Sequence, residues 1–215
     1  MCVTDEFTAR IARAAACLRA GGIVVYPTET FYGLGSLASR PDALARLAAA
    51  KLRPLGKPLP LIAADVEQVE EVASLASPLA RRLARCFWPG PLTLILPALA
   101  GLDETLTGGT GSIAVRVPGS DVARALAARA GGALVSTSAN LSGEPPPTRV
   151  SDLSPGLLGR VDAVLDGGET PGGLASTVVL VDSGMLRLVR AGVIPFADIE
   201  ATARESGTGS TGHTS

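Results

Sequence analysis

The chain has 215 residues, is 47% hydrophobic and 18% charged, and carries a formal net charge of −1. That balance excludes disorder for the bulk of the chain and provides for a buried core of single-domain size. It also excludes a global basic field, so a nucleic-acid partner would need a local patch, and with aromatics at 3% the core must be built from Ala, Leu and Val.

In chain order, Phe7, Ile11, Ala14 and Leu18 recur at helical spacing and predict a helix over 5–20, stopped by Gly21-Gly22. Arginines are spaced through this Ala-rich segment, which therefore is not a secretory signal. A strand is expected at 23–27. Pro41 opens a helix whose Leu44 and Leu47 face inward and which delivers Lys51 at its end. Asp65 caps a helix over 66–74, and Ser77-Pro78 starts another that must end before Pro89. "PLTLIL" and "SIAVRVP" read as buried strands, Ser120 caps a helix ended by Gly131-Gly132, and "ALVSTSAN" is a strand running into a turn. "SGEPPPT" is a Pro-rich loop, and "AVLDGGETPGGLA" is a short strand entering a Gly-rich loop. "STVVLVD" and "LRLVRAG" form a hairpin around Ser183-Gly184, and a last helix starts near Pro195. Hairpins and crossovers together imply one α/β domain with a mixed parallel and antiparallel sheet and flanking helices. The longest uncharged run, "CFWPGPLTLILPALAGL", is too short and too broken by proline to span a membrane.

Cys2, Cys17 and Cys86 lie far apart, with no C-x-x-C pair, which argues against a disulfide framework or a zinc site and fits a reducing cytoplasm. The single histidine, His213, falls in the polar end "ESGTGSTGHTS". The expected division is a catalytic body over 1–200 and a flexible tail over 201–215. Chemistry in the body then rests on cations, hydroxyls, carboxylates and backbone groups.

Four segments break the core pattern with polar groups. In "YPTETFYGLG", an extended chain would set Thr28, Thr30 and Tyr32 on one side and Pro27, Glu29 and Phe31 on the other. "KLRPLGKP" holds Lys51, Arg53 and Lys57 between prolines, as either a solvated basic loop or a receiver for a polyanion such as a triphosphate. In "SIAVRVP", Ser112, Ala114 and Arg116 share one face of an apolar strand. A buried arginine must meet a carboxylate or phosphate there, from the fold or from a ligand. In "VSTSANLSG", Ser136, Ser138 and Asn140 alternate with Val135, Thr137 and Ala139, although Ser and Asn also favour turns for local reasons. Ser176, opening an apolar strand, and Arg190, before Ala191-Gly192, extend the pattern. Neither the Walker nor the Rossmann glycine motif is present, so a nucleotide would need a different cradle.

Taken in order, "PTETFYGLG", "KLRPLGKPL", "FWPGPLTLIL", "AVRVPG", "STSANLSG", "STVV" and "RLVRAG" resemble the YrdC-like family of threonylcarbamoyl-AMP synthases over roughly residues 20–192. The resemblance implies a twisted mixed sheet around a large, positively lined cavity. It implies that L-threonine, bicarbonate (or CO₂) and ATP give threonylcarbamoyl-AMP and pyrophosphate. Downstream proteins then use the adenylate for N6-threonylcarbamoyladenosine at position 37 of tRNA, with contact between tRNA and this chain left open. By similarity Thr30, Arg116, Ser136 and Ser176 hold threonine, with Tyr32 beside Thr30. Lys51, Arg53, Lys57, Ser112, Ser138, Asn140, Thr148 and Arg190 hold ATP, Lys51 and Arg53 being the catalytic cations. Mg²⁺ is expected to arrive with ATP and not at a protein metal site. Two departures stand out: some members place a histidine after the basic loop, where this chain has "PLPLIAAD", and longer members carry a second domain, so this chain looks like the short form. Adenylyl transfer needs orientation and neutralisation of phosphates more than a strong base, which fits a body without histidine. Glu29 is a candidate proton acceptor, but its expected facing away from Thr28 and Thr30 counts against it. The rival readings are a non-catalytic RNA-binding module and a carbamoyl-transfer paralogue of the same fold.

Overall fold

Ile11, Ala14, Ala15 and Leu18 bury one face of helix α1 (Asp5–Arg19), and Gly21, at φ 85°, turns the chain towards strand β1 (Val24–Pro27). This computed structural model describes residues 5–51, 58–141, 143–182 and 184–204. β1 doubles back as the antiparallel strand β2 (Tyr32–Gly35), with Val24 opposite Gly35 and Pro27 opposite Tyr32. Helix α2 (Pro41–Ala50) begins on proline, buries Leu44 and Leu47, and ends on Lys51, as its spacing predicts. After β3 (Leu61–Ile62), Asp65 accepts the Gln68 N–H and starts α3 (Val66–Glu70). This helix is shorter than the expected 66–74. Ala73 pairs instead with Ala98, and Ser74 donates its N–H to Pro97, which draws the backbone to a sheet margin.

Ser77 caps α4 (Pro78–Phe87), which leads through β4 (Leu92–Pro97) and the short α5 (Glu104–Thr107) to β5 (Ser112–Arg116). Ser120 caps α6 (Asp121–Ala130), and Gly131 ends it at φ 79°. Two-residue strands β6 (Leu134–Val135) and β7 (Thr137–Ser138) follow, then α7 (Pro155–Leu158) and β8 (Ala163–Val164). The expected hairpin is β9 (Thr177–Asp182) with β10 (Met185–Arg190). Helix α8 (Phe196–Arg204) buries Ile199, and Arg82 of α4 donates to the Ala203 carbonyl at 2.9 Å. Helix α8 thus extends across residue 200, where the division was expected.

The expected mixed sheet is present but split in two: a four-stranded sheet ordered β7-β2-β1-β8 and a six-stranded sheet ordered β10-β9-β4-β5-β3-β6. Pairs β1–β8, β3–β5 and β4–β9 are parallel and the rest antiparallel. "ALVSTSAN" is consequently not one strand. Val135 pairs with Leu61 in the larger sheet, Ser138 pairs with Gly33 in the smaller, and Ser136 is the residue at which the chain crosses over. Helices α1 and α6 pack together over β1, with Leu18, Leu126 and Tyr26 in their shared core.

The crossing is tight at Gly35. Tyr26 donates its hydroxyl to the Val135 carbonyl at 3.1 Å, and a Cβ at position 35 would lie 2.2 Å from that same carbonyl oxygen and 2.8 Å from Tyr26 Cε1. Backbone on one side and a fully buried ring on the other leave nothing to yield. Gly35→Ala is expected to cost about 3 kcal/mol, lowering the melting midpoint by about 10 °C in a domain of this size. A thermal melt superimposing on wild type would refute the close approach.

Candidate functional site

A cavity of about 550 Å³ opens where the two sheets meet, and its wall carries Lys51, Arg116 and Arg190 and no carboxylate among the described residues. Each element contributes for a local reason. Along β5, Ile113 and Val115 enter the core while Ala114 and Arg116 border the cavity, the period-2 alternation of a strand. Ser112 shares that parity but stands at the far end of the strand, opposite Pro97, and is not on the wall. Ser112, expected as a nucleotide contact, is therefore set apart from the cavity by its depth along the strand and not by its facing.

Residues 28–31 are the hairpin turn between β1 and β2, not an extended segment. Thr28 donates both its N–H (3.2 Å) and its hydroxyl (2.7 Å) to the Phe31 carbonyl. The turn brings Thr28, Thr30 and Phe31 to the cavity together, with the two threonine hydroxyls 3.3 Å apart. Phe31 was expected on the other side; the turn breaks the alternation that put it there. Tyr32 borders the cavity, but its hydroxyl donates to the Gly168 carbonyl at 2.6 Å, with Asp166 Oδ1 at 3.1 Å, and accepts the Gly167 N–H. Burial pushes this phenol's pKa up to about 12. That hydroxyl ties the hairpin to the 166–168 loop, so Tyr32 lines the cavity beside Thr30 with its hydroxyl engaged within the protein.

At the end of α2, Lys51 is buried and its Nζ reaches the Ser138 carbonyl at 2.5 Å, Ser138 Oγ at 3.4 Å and Asn140 Oδ1 at 3.3 Å. The Ser138 hydroxyl in turn donates to Asn140 Oδ1. Ser136, Ser138 and Asn140 all line the cavity, and so does Thr137, because the chain changes sheets among them. Thr148 lies off the wall, its hydroxyl donating to Asp152 Oδ2 at 3.3 Å, against the expectation of an ATP contact.

Opposite them, Ser176 Oγ lies 2.9 Å from Thr93 Oγ1, and Arg190 Nη2 donates to the Ser176 carbonyl at 2.7 Å and to its hydroxyl at 3.0 Å. A register shift between Leu188 and Arg190 sets Arg190 opposite Val178, itself on the cavity wall; such a bulge re-aims a side chain near a strand end. Crowding by protein, and then the like charge of Arg116, lower the Arg190 pKa from the ordinary guanidinium value. Thr93 went unnoticed in the sequence. Its signal was there, as the sole hydroxyl in the apolar run "PLTLIL".

Arg116, 7% exposed, donates from Nε to Glu29 Oε1 at 3.1 Å. Of the two kinds of partner left open for it, a carboxylate of the fold is present, and the residue also borders the cavity. Glu29 itself is off the wall, turned away within the hairpin turn towards Arg116. Arg53 and Lys57 lie outside the described residues. Among the described residues no group of three or more His, Cys, Asp or Glu side chains is placed to hold a metal ion, and no helix is long and apolar enough to cross a membrane.

Fold and site define an α/β protein with a cation-lined polar cavity between two mixed sheets. A family model for Sua5, YciO and YrdC proteins, described as "Telomere recombination", matches residues 16–192. The threonylcarbamoyl-AMP synthase of Bacillus subtilis is 41% identical over 203 residues, 93% of this chain and 59% of that protein. The synthase of Stenotrophomonas maltophilia is 45% identical over 79% of this chain and 91% of its own length. The crystal structure of Pyrococcus abyssi Sua5 complexed with L-threonine matches with a TM-score of 0.87 and 38% identity, over 92% of this chain and 58% of that one. The chain belongs to the Sua5/YciO/YrdC family. It spans less than two thirds of the length of the Bacillus and Pyrococcus relatives.

Proposed function

We propose that the chain is an L-threonylcarbamoyladenylate synthase, a cytoplasmic nucleotidyltransferase, with its catalytic body within the described residues; the segment 205–215, in which most of the expected tail falls, lies outside them. The carrying observation is convergence: Thr30, Lys51, Arg116, Ser136, Ser138, Ser176 and Arg190, drawn from both sheets, border one cavity. Arg116 and Ser176, with Thr30 and Ser136, are placed to take the carboxylate and hydroxyl of threonine. Lys51, Ser138, Asn140 and Arg190, joined by Arg53 and Lys57 of the basic loop, take the nucleotide and its phosphates.

The reaction then needs little acid–base chemistry from the protein. The threonine ammonium gives one proton to solvent or bicarbonate, the free amine attacks CO₂, and the adduct sheds a second proton to the same acceptors to leave a carbamate. A carbamate oxygen attacks the α-phosphorus of ATP, and the bond to the β,γ-pyrophosphate breaks. The protein's part is to align the two and to offset charge at the phosphorus as pyrophosphate leaves. Glu29, paired with Arg116 and off the wall, is not the proton acceptor in this scheme. The described wall offers no carboxylate pair for Mg²⁺, so the ion would enter with the triphosphate, and no step is assigned to it. The adenylate would be handed to proteins that modify tRNA position 37.

ATP–pyrophosphate exchange that requires both threonine and bicarbonate is the expected result. RNA binding with no exchange would replace this reading by the RNA-module one. Exchange with a different carbamoyl donor would point to the paralogue.

A further inference from the structure

Glu29 is the carboxylate behind the cavity, and stability alone does not account for it. Its side chain is 15% exposed and that of Arg116 is 8% exposed. A buried ion pair of this kind adds little net stability over apolar side chains of the same volume. Moreover, Glu29 Oε2 is buried with no hydrogen-bond partner, a cost that a purely structural pair has no reason to carry. What the pair does provide is orientation. Among the described residues, Nε is the one guanidinium nitrogen of Arg116 with a protein acceptor, and the residue borders the cavity.

The surroundings hold the carboxylate in place. A Cβ at Gly119 would rest 3.6 Å from the Glu29 Cβ and Cγ, so the turn after β5 closes against the stem of Glu29. Ser120 donates its hydroxyl to the Pro27 carbonyl at 3.4 Å. The hairpin turn that carries Glu29 and the turn that follows Arg116 are thereby tied to each other.

We propose that Glu29 is a positioning residue: it holds Arg116 by Nε, leaving the two terminal nitrogens to receive the substrate's carboxylate as a fork. Planar, bidentate recognition of a carboxylate requires that the guanidinium plane be set in advance. Held this way, the arginine has one nitrogen committed to the fold and two to the amino acid. This role rests on the functional reading above and adds to it a residue that never touches substrate.

The test compares Michaelis constants for threonine and for ATP, measured by pyrophosphate release, in wild type, Glu29→Ala, Arg116→Ala and the double variant, with threonine binding to wild type followed by calorimetry. Glu29→Ala is expected to raise the threonine constant on the order of 30-fold, the loss of a hydrogen bond to a charged group, while the ATP constant stays within about threefold. In the Arg116→Ala background the same change should add less than about threefold, because the residue acts only through that arginine. Glu29→Gln, which keeps volume and acceptor, should recover most of the threonine affinity, and it carries the comparison if the alanine variant does not fold. A threonine constant unchanged in both Glu29 variants, equal losses for threonine and ATP, or full additivity with Arg116→Ala would each overturn the role. Wild-type protein that binds no threonine would instead overturn the functional reading, and this role with it.

Discussion

Lys51→Met is expected to lower turnover on the order of 1000-fold, the upper range for deleting one preorganised donor at a site of developing charge. Methionine fills nearly the same space, so the end of α2 keeps its packing. What it lacks is the ammonium, whose contacts among the described residues include the Ser138 carbonyl, the Ser138 hydroxyl and Asn140 Oδ1. Two effects then coincide: a cation is lost from the side of the cavity proposed to take the phosphates, and the turn holding Ser138 and Asn140 is no longer clamped to α2. Pyrophosphate release and a thermal melt together check this. Turnover within about tenfold of wild type, with the fold intact, would remove Lys51 from the catalytic group.

The second large effect is expected at Arg116. Arg116→Ala should weaken threonine binding about 100-fold, close to 3 kcal/mol for truncating one member of a buried, hydrogen-bonded charge pair. It should also lower thermal stability, because it leaves the Glu29 carboxylate buried and alone. The two losses can be separated. In the double variant Glu29→Gln/Arg116→Met no charge is stranded, so the melting midpoint should return towards wild type while threonine affinity does not. Recovery of both would make Arg116 a structural residue only.

How far the sequence could be read follows from the range of the interactions involved. Helix ends were legible because their chemistry acts within one turn: Pro41 opening α2, Asp65 and Ser77 capping α3 and α4, and Ser120 with Gly131 bracketing α6. Facing along a strand was legible too, which is why Arg116 and Ala114 were separated correctly from Ile113 and Val115. Depth along the strand was not, since Ser112 has the right parity and the wrong end. The division into two sheets was hidden because β6 and β7 are two residues each, and their identity comes from Leu61 and Gly33, far away in the chain. The setting of the Tyr32 hydroxyl was hidden for the same reason. Nothing local reveals that it meets Asp166 and Gly168. Local alternation also misjudged residues 28–31, where a turn supplanted the strand and brought Phe31 to the cavity.

The crossover at Ser136 has a mechanical corollary. The residues proposed to hold amino acid and nucleotide are distributed over both sheets, with Ser138 on the smaller, Thr30 in its hairpin turn, and Arg116, Ser176 and Arg190 on or beside the larger. Bound substrates would act as mortar at the open end of two slabs that already share a core, with Val25 and Leu34 of one packed in the same cluster as Leu61 and Leu94 of the other. Whatever rocks one slab against the other would change the gap that the carbamate must close to reach phosphorus.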